Sequence, residues 1–84
     1  MMDRCYVCGR VTRCDMHHMI GGIGRRKISD RYGLVIPVCR SCHEDIHAHP
    51  ERYGWIKQEA QRIAMERNGW DTSDFIRAFG KSYI

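Results

Sequence analysis

Nine residues, Cys39-Arg40-Ser41-Cys42-His43-Glu44-Asp45-Ile46-His47, interleave two metal-ligand spacings, Cys-x-x-Cys and His-x-x-x-His. A Cys-x-x-Cys turn brings two thiolates to one side of a tetrahedral ion such as Zn²⁺. Histidines four apart stack on one face of a helix, where they can share a second ion. Neither set is complete alone. Two further thiols stand upstream in Cys5-Tyr6-Val7-Cys8-Gly9, and two further imidazoles in His17-His18. Cys5, Cys8, Cys39 and Cys42 are therefore read as one structural zinc site. Cys14 lacks knuckle spacing to any of them and is read as a buried spectator.

His17, His43 and His47 are the ligands expected for a second divalent ion. Three protein ligands leave coordination positions open for water and substrate, as in catalytic rather than structural metal sites. His18, pointing away from its neighbour on an extended strand, is left to act as a base near neutral pH. A phosphodiester needs this pairing: a metal to draw charge from the phosphoryl and leaving oxygens, and an imidazole to take a proton from water.

The elements that must position these groups are legible in outline. Thirty residues separate Cys8 from Cys39, more than the roughly 15–20 of a simple two-knuckle ribbon, so something folded lies between the knuckles. Val11, Thr12 and Met16 favour a short strand ending at His17-His18, where Gly21, Gly22 and Gly24 allow a bend. Arg25, Arg26 and Lys27 follow, with Arg31 close behind, and are read as a loop that clamps phosphates. Leu34-Val35-Ile36-Pro37-Val38 reads as a second strand, confined to a sheet edge or bulge by Pro37. It delivers Cys39 and Cys42, and Ser41 is expected to cap the helix carrying His43 and His47, which stops before Pro50.

Beyond Pro50 packing replaces chemistry. Trp55, Ile56, Ala60, Ile63 and Ala64 recur at helical spacing over residues 51–67 and are expected to face the core, with Gly69 as the C-terminal cap. Thr72 or Ser73 is expected to cap a short helical turn through Phe79, stopped by Gly80.

These motifs together resemble the HNH endonucleases of the ββα-metal (His-Me finger) class. The resemblance covers roughly residues 5–47, and the whole chain looks most like small phage-encoded proteins of this type. It implies an α+β fold: a small zinc-stabilised ββα-metal finger over residues 1–49, followed by a C-terminal helix and a short helical turn over residues 50–84, all in one domain. It implies a metal-dependent DNA endonuclease leaving 5′-phosphate and 3′-hydroxyl ends. His18 matches the general base, His17 the metal-ligand position often filled by aspartate, His43 the final motif histidine, and His47 a further ligand. One position departs: Leu34 stands nine residues before His43, where the family has an asparagine that pins the loop orienting the base. Asp30 or Ser29 are the side chains placed to substitute.

Composition is consistent with this reading and excludes others. At 84 residues the chain is too short to rely on a hydrophobic core alone. Five cysteines without a secretory h-region at Met1-Met2-Asp3-Arg4 favour metal over disulfides and a cytoplasmic location, the host cytoplasm if phage-encoded. No apolar run is long enough for a membrane span. The formal charge of +4 falls by two when one Zn²⁺ binds four thiolates, so the position of the basic residues matters more than their total. The structural ion is expected to be Zn²⁺. The imidazole site suits Mn²⁺, Ni²⁺ or Zn²⁺, with Mg²⁺ a poorer match. DNA is the expected partner, and a homodimer would let two such sites cut both strands. The other reading is a zinc module that binds DNA or a protein without catalysis.

Overall fold

The computed structural model describes residues 2–21 and 25–84, and the side chains of all of these except Arg25 and Arg26. Three antiparallel strands, β1 (Met2–Arg4), β2 (Val11–His18) and β3 (Val35–Cys39), lie in the order β1-β2-β3. The helices are α1 (Arg25–Arg31), α2 (Arg40–Ala48), α3 (Gly54–Asn68) and α4 (Thr72–Phe79), with a 3₁₀ turn at Pro50–Arg52. The fold is therefore α+β, with one more strand and one more helix than the sequence suggested. None of the helices is long and apolar enough to cross a membrane among the described residues.

The first knuckle is the turn of the β1–β2 hairpin. Cys5 N–H donates to the Arg10 carbonyl (2.9 Å) and Gly9 N–H to that of Cys5 (2.9 Å), with Gly9 at φ 77°, a left-handed conformation that suits glycine. Tyr6 N–H also donates to the Pro37 carbonyl (2.8 Å), which docks the knuckle on β3. Pro37 sits on an edge strand, as expected of a residue with no N–H to give.

The β2–β3 register pairs Cys14 with Cys39, His17 with Ile36 and His18 with Val35. Helix α2 starts directly after β3 and ends at Ala48, ahead of Pro50. Cys39, not Ser41, occupies its N-cap position, and no side chain caps it. The strand runs into the helix without a linking residue, so Ser41 already lies in the first turn.

Residues 25–31, expected to be a loop, form helix α1. Arg and Lys are good helix formers, Ser29 and Ile28 turn inward, and Gly33 at φ 70° ends the segment. Helix α3 starts at Gly54 rather than near residue 51, because the chain from Pro50 makes a 3₁₀ turn first. Trp55 is 43% exposed, not core; it stacks on Tyr6 of the knuckle at 6.1 Å between centroids. Ile56, Ala60 and Ala64 are buried, and Gly69 closes α3 at φ 64°, both as expected. Asp71, not Thr72 or Ser73, caps α4. It forms a reciprocal capping box with Asp74.

One buried cluster links these parts, from Cys5 through Ile20, Leu34 and Val38 to Ile56, Phe75 and Phe79. Phe75 and Phe79 stack at 4.6 Å, and Tyr32, just after α1, meets Phe79 at 6.0 Å and Trp70 at 4.9 Å. Phe75 is fully buried. Replacing it with alanine is expected to cost about 3–5 kcal/mol, much of the net stability of a small domain. Urea denaturation of the zinc-saturated protein measures this; a loss under 1 kcal/mol would place Phe75 outside the core.

Candidate metal centres

The hairpin knuckle and the β3–α2 junction bring four sulfurs together. The Sγ atoms of Cys5, Cys8, Cys39 and Cys42 all lie within 4.8 Å of one another, and those of Cys8 and Cys39 are 3.8 Å apart. A tetrahedron of Zn–S bonds of about 2.3 Å has edges of about 3.8 Å. Such a cluster could hold a structural metal such as zinc.

The electrostatics of the thiols point the same way. Burial disfavours the Cys5 thiolate. Yet hydrogen bonds from the backbone of Cys8, Cys39 and Val7, and the Cys8 side chain, outweigh burial and bring its pKa down to about 6. Burial and the neighbouring sulfurs of Cys39, Cys5 and Cys8 push the Cys42 thiol well up instead. The protein alone does not favour four thiolates at once; a divalent cation bound there would supply the missing charge. Cys14 stands outside this group, with its thiol directed at the carbonyls of Thr12 (3.4 Å) and Asp3 (3.6 Å).

The second group is imidazole. Ligand nitrogens of His17, His43 and His47 also lie within 4.8 Å of one another. His17 comes from the end of β2, the others from successive turns of α2. The Nε2 atoms of His43 and His47 are 3.2 Å apart, and the His17 ring meets both others edge-on at 5.4 and 5.8 Å.

Two of the histidines have an acidic partner. Asp15 Oδ2 accepts from His43 Nδ1 at 3.1 Å. The bond from His43, against a smaller opposing effect of burial and aided by Arg40, holds the Asp15 carboxyl below its usual range. With Nδ1–H committed to Asp15, His43 presents its Nε2 lone pair towards His47. Asp15 was missed from sequence, although it stands two residues before His17 and so on the same face of the strand.

His18 has its own carboxylate: Nε2 donates to Asp30 Oδ1 at 2.9 Å. Of the two side chains placed to replace the asparagine, Asp30 reaches the imidazole and Ser29 does not. Ser29 is fully buried and donates to the Ile20 carbonyl at 2.7 Å. Leu34 is buried, with its carbonyl accepting from Met19 N–H (2.9 Å) and its N–H donating to Ser29 (2.8 Å). Residues 18–20 are thus tied to α1 and to the start of β3.

His17, His18, His43 and His47 line one cleft of about 460 Å³, with Tyr53 and Lys57 also among its lining residues. Tyr53 donates a short hydrogen bond to Asp45. That bond, then burial, raises its hydroxyl to about 12, so it is neutral at working pH. Lys57 is the one lysine or arginine among the described residues lining this cleft, although the helical spacing of residues 51–67 puts it with Arg52, Arg62 and Arg67 on the solvated side. The phosphate clamp was read at Arg25, Arg26, Lys27 and Arg31. The side chains of Arg25 and Arg26 lie outside the described residues, and Lys27 and Arg31 are exposed on α1.

Fold and cysteine cluster define a small α+β protein able to hold a structural metal. The family described as "Protein of unknown function (DUF968)" matches residues 1–74, and the chain belongs to it. No curated protein and no solved structure matches the chain.

A structural zinc contributes roughly 10–16 kcal/mol of apparent binding free energy, more than the whole net stability of most small domains. Cys42→Ser is therefore expected to leave the protein largely unfolded by far-UV circular dichroism, and Cys14→Ser to fold normally with one zinc per chain. A native spectrum for Cys42→Ser with zinc removed would refute the structural role.

Proposed function

We propose that this protein is a metal-dependent DNA endonuclease of the HNH type. The observation that carries this reading is the meeting of His17, His43 and His47 beside His18 in one cleft, with a carboxylate behind His43 and another behind His18. A zinc-holding scaffold needs only the four cysteines; it has no use for four imidazoles facing an open cleft.

His17, His43 and His47 would hold the divalent ion. Tetrahedral metal–nitrogen bonds of about 2.0–2.1 Å give ligand separations of about 3.3 Å, and the His43–His47 pair stands at 3.2 Å. Bound there, the ion supplies Lewis-acid stabilisation of phosphoryl and leaving oxygens. The protein's own groups do the rest. Asp15 fixes the His43 tautomer, keeping Nε2 a donor of electrons. Asp30 takes the Nε2–H of His18, which leaves Nδ1 to accept a proton from an attacking water. Lys57 can meet a non-bridging phosphate oxygen at the cleft wall.

The order β2, β3, α2 supports the ββα-metal assignment, with β1 and α1 as additions to it. Leu34 in place of asparagine is accommodated on the same reading. The backbone of Leu34 and the hydroxyl of Ser29 pin residues 19 and 20, and Asp30 orients the imidazole. The work of one side chain is divided among three groups.

His17 and His18 are identical neighbours, so composition and charge cannot separate them; only their roles differ. His18→Ala is expected to keep metal and DNA affinity while nicking of supercoiled plasmid falls by roughly 10²–10⁴-fold, the size of a general-base contribution. His17→Ala is expected to weaken the second metal, with activity partly recovered at higher metal concentration. Calorimetric metal titration beside the nicking assay measures both. The reverse pattern exchanges the two roles. No nicking by the wild type in any divalent metal sinks the nuclease reading and leaves a zinc module that binds without cutting.

The ligand set also sets the metal preference. Three neutral nitrogens favour Mn²⁺, Co²⁺ or Ni²⁺ over Mg²⁺, which prefers oxygen. Half-maximal nicking is expected at a lower concentration of Mn²⁺ or Ni²⁺ than of Mg²⁺. Equal half-saturation would instead indicate a carboxylate in the first coordination sphere.

A further inference from the structure

Asp15 borders a second cleft, about 570 Å³ in volume, which Cys39 of the sulfur cluster also lines and whose arginines the chemistry above does not use. Arg10 and Arg13, Arg40 from the first turn of α2, Thr12 and Ser41 are among its lining residues. All three arginines are exposed. Asp15 is the one acid among the lining residues, and it is already engaged by His43 at 3.1 Å and Arg40 at 3.6 Å. Arg10 and Arg13 have no ion-pair partner among the described residues. The helical arginines differ: Arg62 pairs with Glu59 and Arg77 with Asp74, ordinary solvated pairs one turn apart.

A concave surface with three guanidinium groups and one committed carboxylate carries unbalanced positive charge. Guanidinium forks and hydroxyls are the groups that bind phosphate oxygens. The cleft is joined to the imidazole cleft through the His43–Asp15 hydrogen bond, so a linear polyanion could lie across both. A duplex backbone has that form, with charge repeated along its length.

We propose that the arginine cleft anchors a backbone phosphate of DNA flanking the one that reaches the imidazoles. The inference rests on the nuclease reading for its ligand and adds a sequence-independent contact made by Arg10, Arg13 and Arg40. Arg40 also bonds Asp15, so the test uses the other two.

The experiment takes the zinc-loaded full chain without added second metal and follows fluorescence anisotropy of two unrelated labelled duplexes between 50 and 200 mM salt. Arg10→Ala/Arg13→Ala is expected to weaken both duplexes alike. The slope of log affinity against log salt should flatten by about one unit, at about 0.9 per lost phosphate contact. Arg10→Lys/Arg13→Lys should keep the wild-type slope, because the charge remains. Should the alanine pair lose its native circular dichroism, the glutamine pair provides the same measurement. An unchanged slope, weakening of one duplex but not the other, or wild-type binding to polyglutamate in place of DNA would each overturn the proposal. The two readings fail separately. A wild type with the expected slopes but no nicking keeps the anchor and loses the nuclease. A nicking wild type whose slope ignores Arg10 and Arg13 does the opposite.

Discussion

Cys39 does three things at once, and the arrangement of the molecule depends on them. It is the last residue of β3, the N-cap position of α2 and a member of the sulfur cluster. With no linker between strand and helix, the direction of α2 is set where Cys39 is held. The hairpin knuckle, docked through Tyr6 on Pro37, holds it there. His43 follows Cys42 by one residue, and His47 by one further turn. A structural ion among the cysteines would therefore place the imidazoles as well. In so small a chain one binding event can organise both centres, because its free energy exceeds what burial of the core leaves after conformational entropy.

The two centres solve opposite electrostatic problems. In the sulfur cluster like charges are gathered beyond what the protein can neutralise, which raises Cys42 even as amide hydrogen bonds lower Cys5. The imidazole group has its negative charge behind the rings, at Asp15 and Asp30. A carboxylate behind a ring selects which nitrogen keeps its proton, and so which lone pair is presented. The two aspartates act on different rings, so one histidine can serve as a ligand while a chemically identical residue beside another stays available as a base.

Residue spacing carried the centres into view before any geometry was known. Cys-x-x-Cys and His-x-x-x-His are local constraints, enforced by a turn and by a helix, and the strand end at His18 follows from β propensity and the glycines beyond it. The partners were harder to see because they come from other elements. Asp30 reaches His18 only because residues 25–31 are helical, and a run of arginine and lysine beside glycines reads equally as a loop. Asp15 shared its face with His17, but a single acid on a strand has no signature until a helix packs opposite. Trp55 matched the helical period and still faces outward, since Tyr6 of the distant knuckle, not the core, covers it. The helix caps failed for a simpler reason. In both helices the N-cap position lies one or two residues before the expected Ser41, Thr72 or Ser73, and in α4 the aspartate there provides the cap.

Helix α1 shows why the chain continues past the chemistry. Seven residues are too few to hold a helix by backbone hydrogen bonds alone, since nucleation is costly and few bonds repay it. Packing must hold α1, and the contacts are present on three sides. Ser29 bonds back to Ile20, Leu34 bonds to Ser29, and Tyr32 is wedged between Trp70 and Phe79. The last two come from the end of α3 and from α4. Gln61, buried on α3, ties down the C-terminal residues in turn, accepting from Tyr83 N–H at 2.7 Å and donating to Ser82 at 3.1 Å. Rigidity thus passes from the C-terminal helices through Tyr32 and α1 to Asp30, and from Asp30 to the His18 ring. Residues 50–84 are therefore part of the support of the cleft, which Pro50, Tyr53, Ile56 and Lys57 also line.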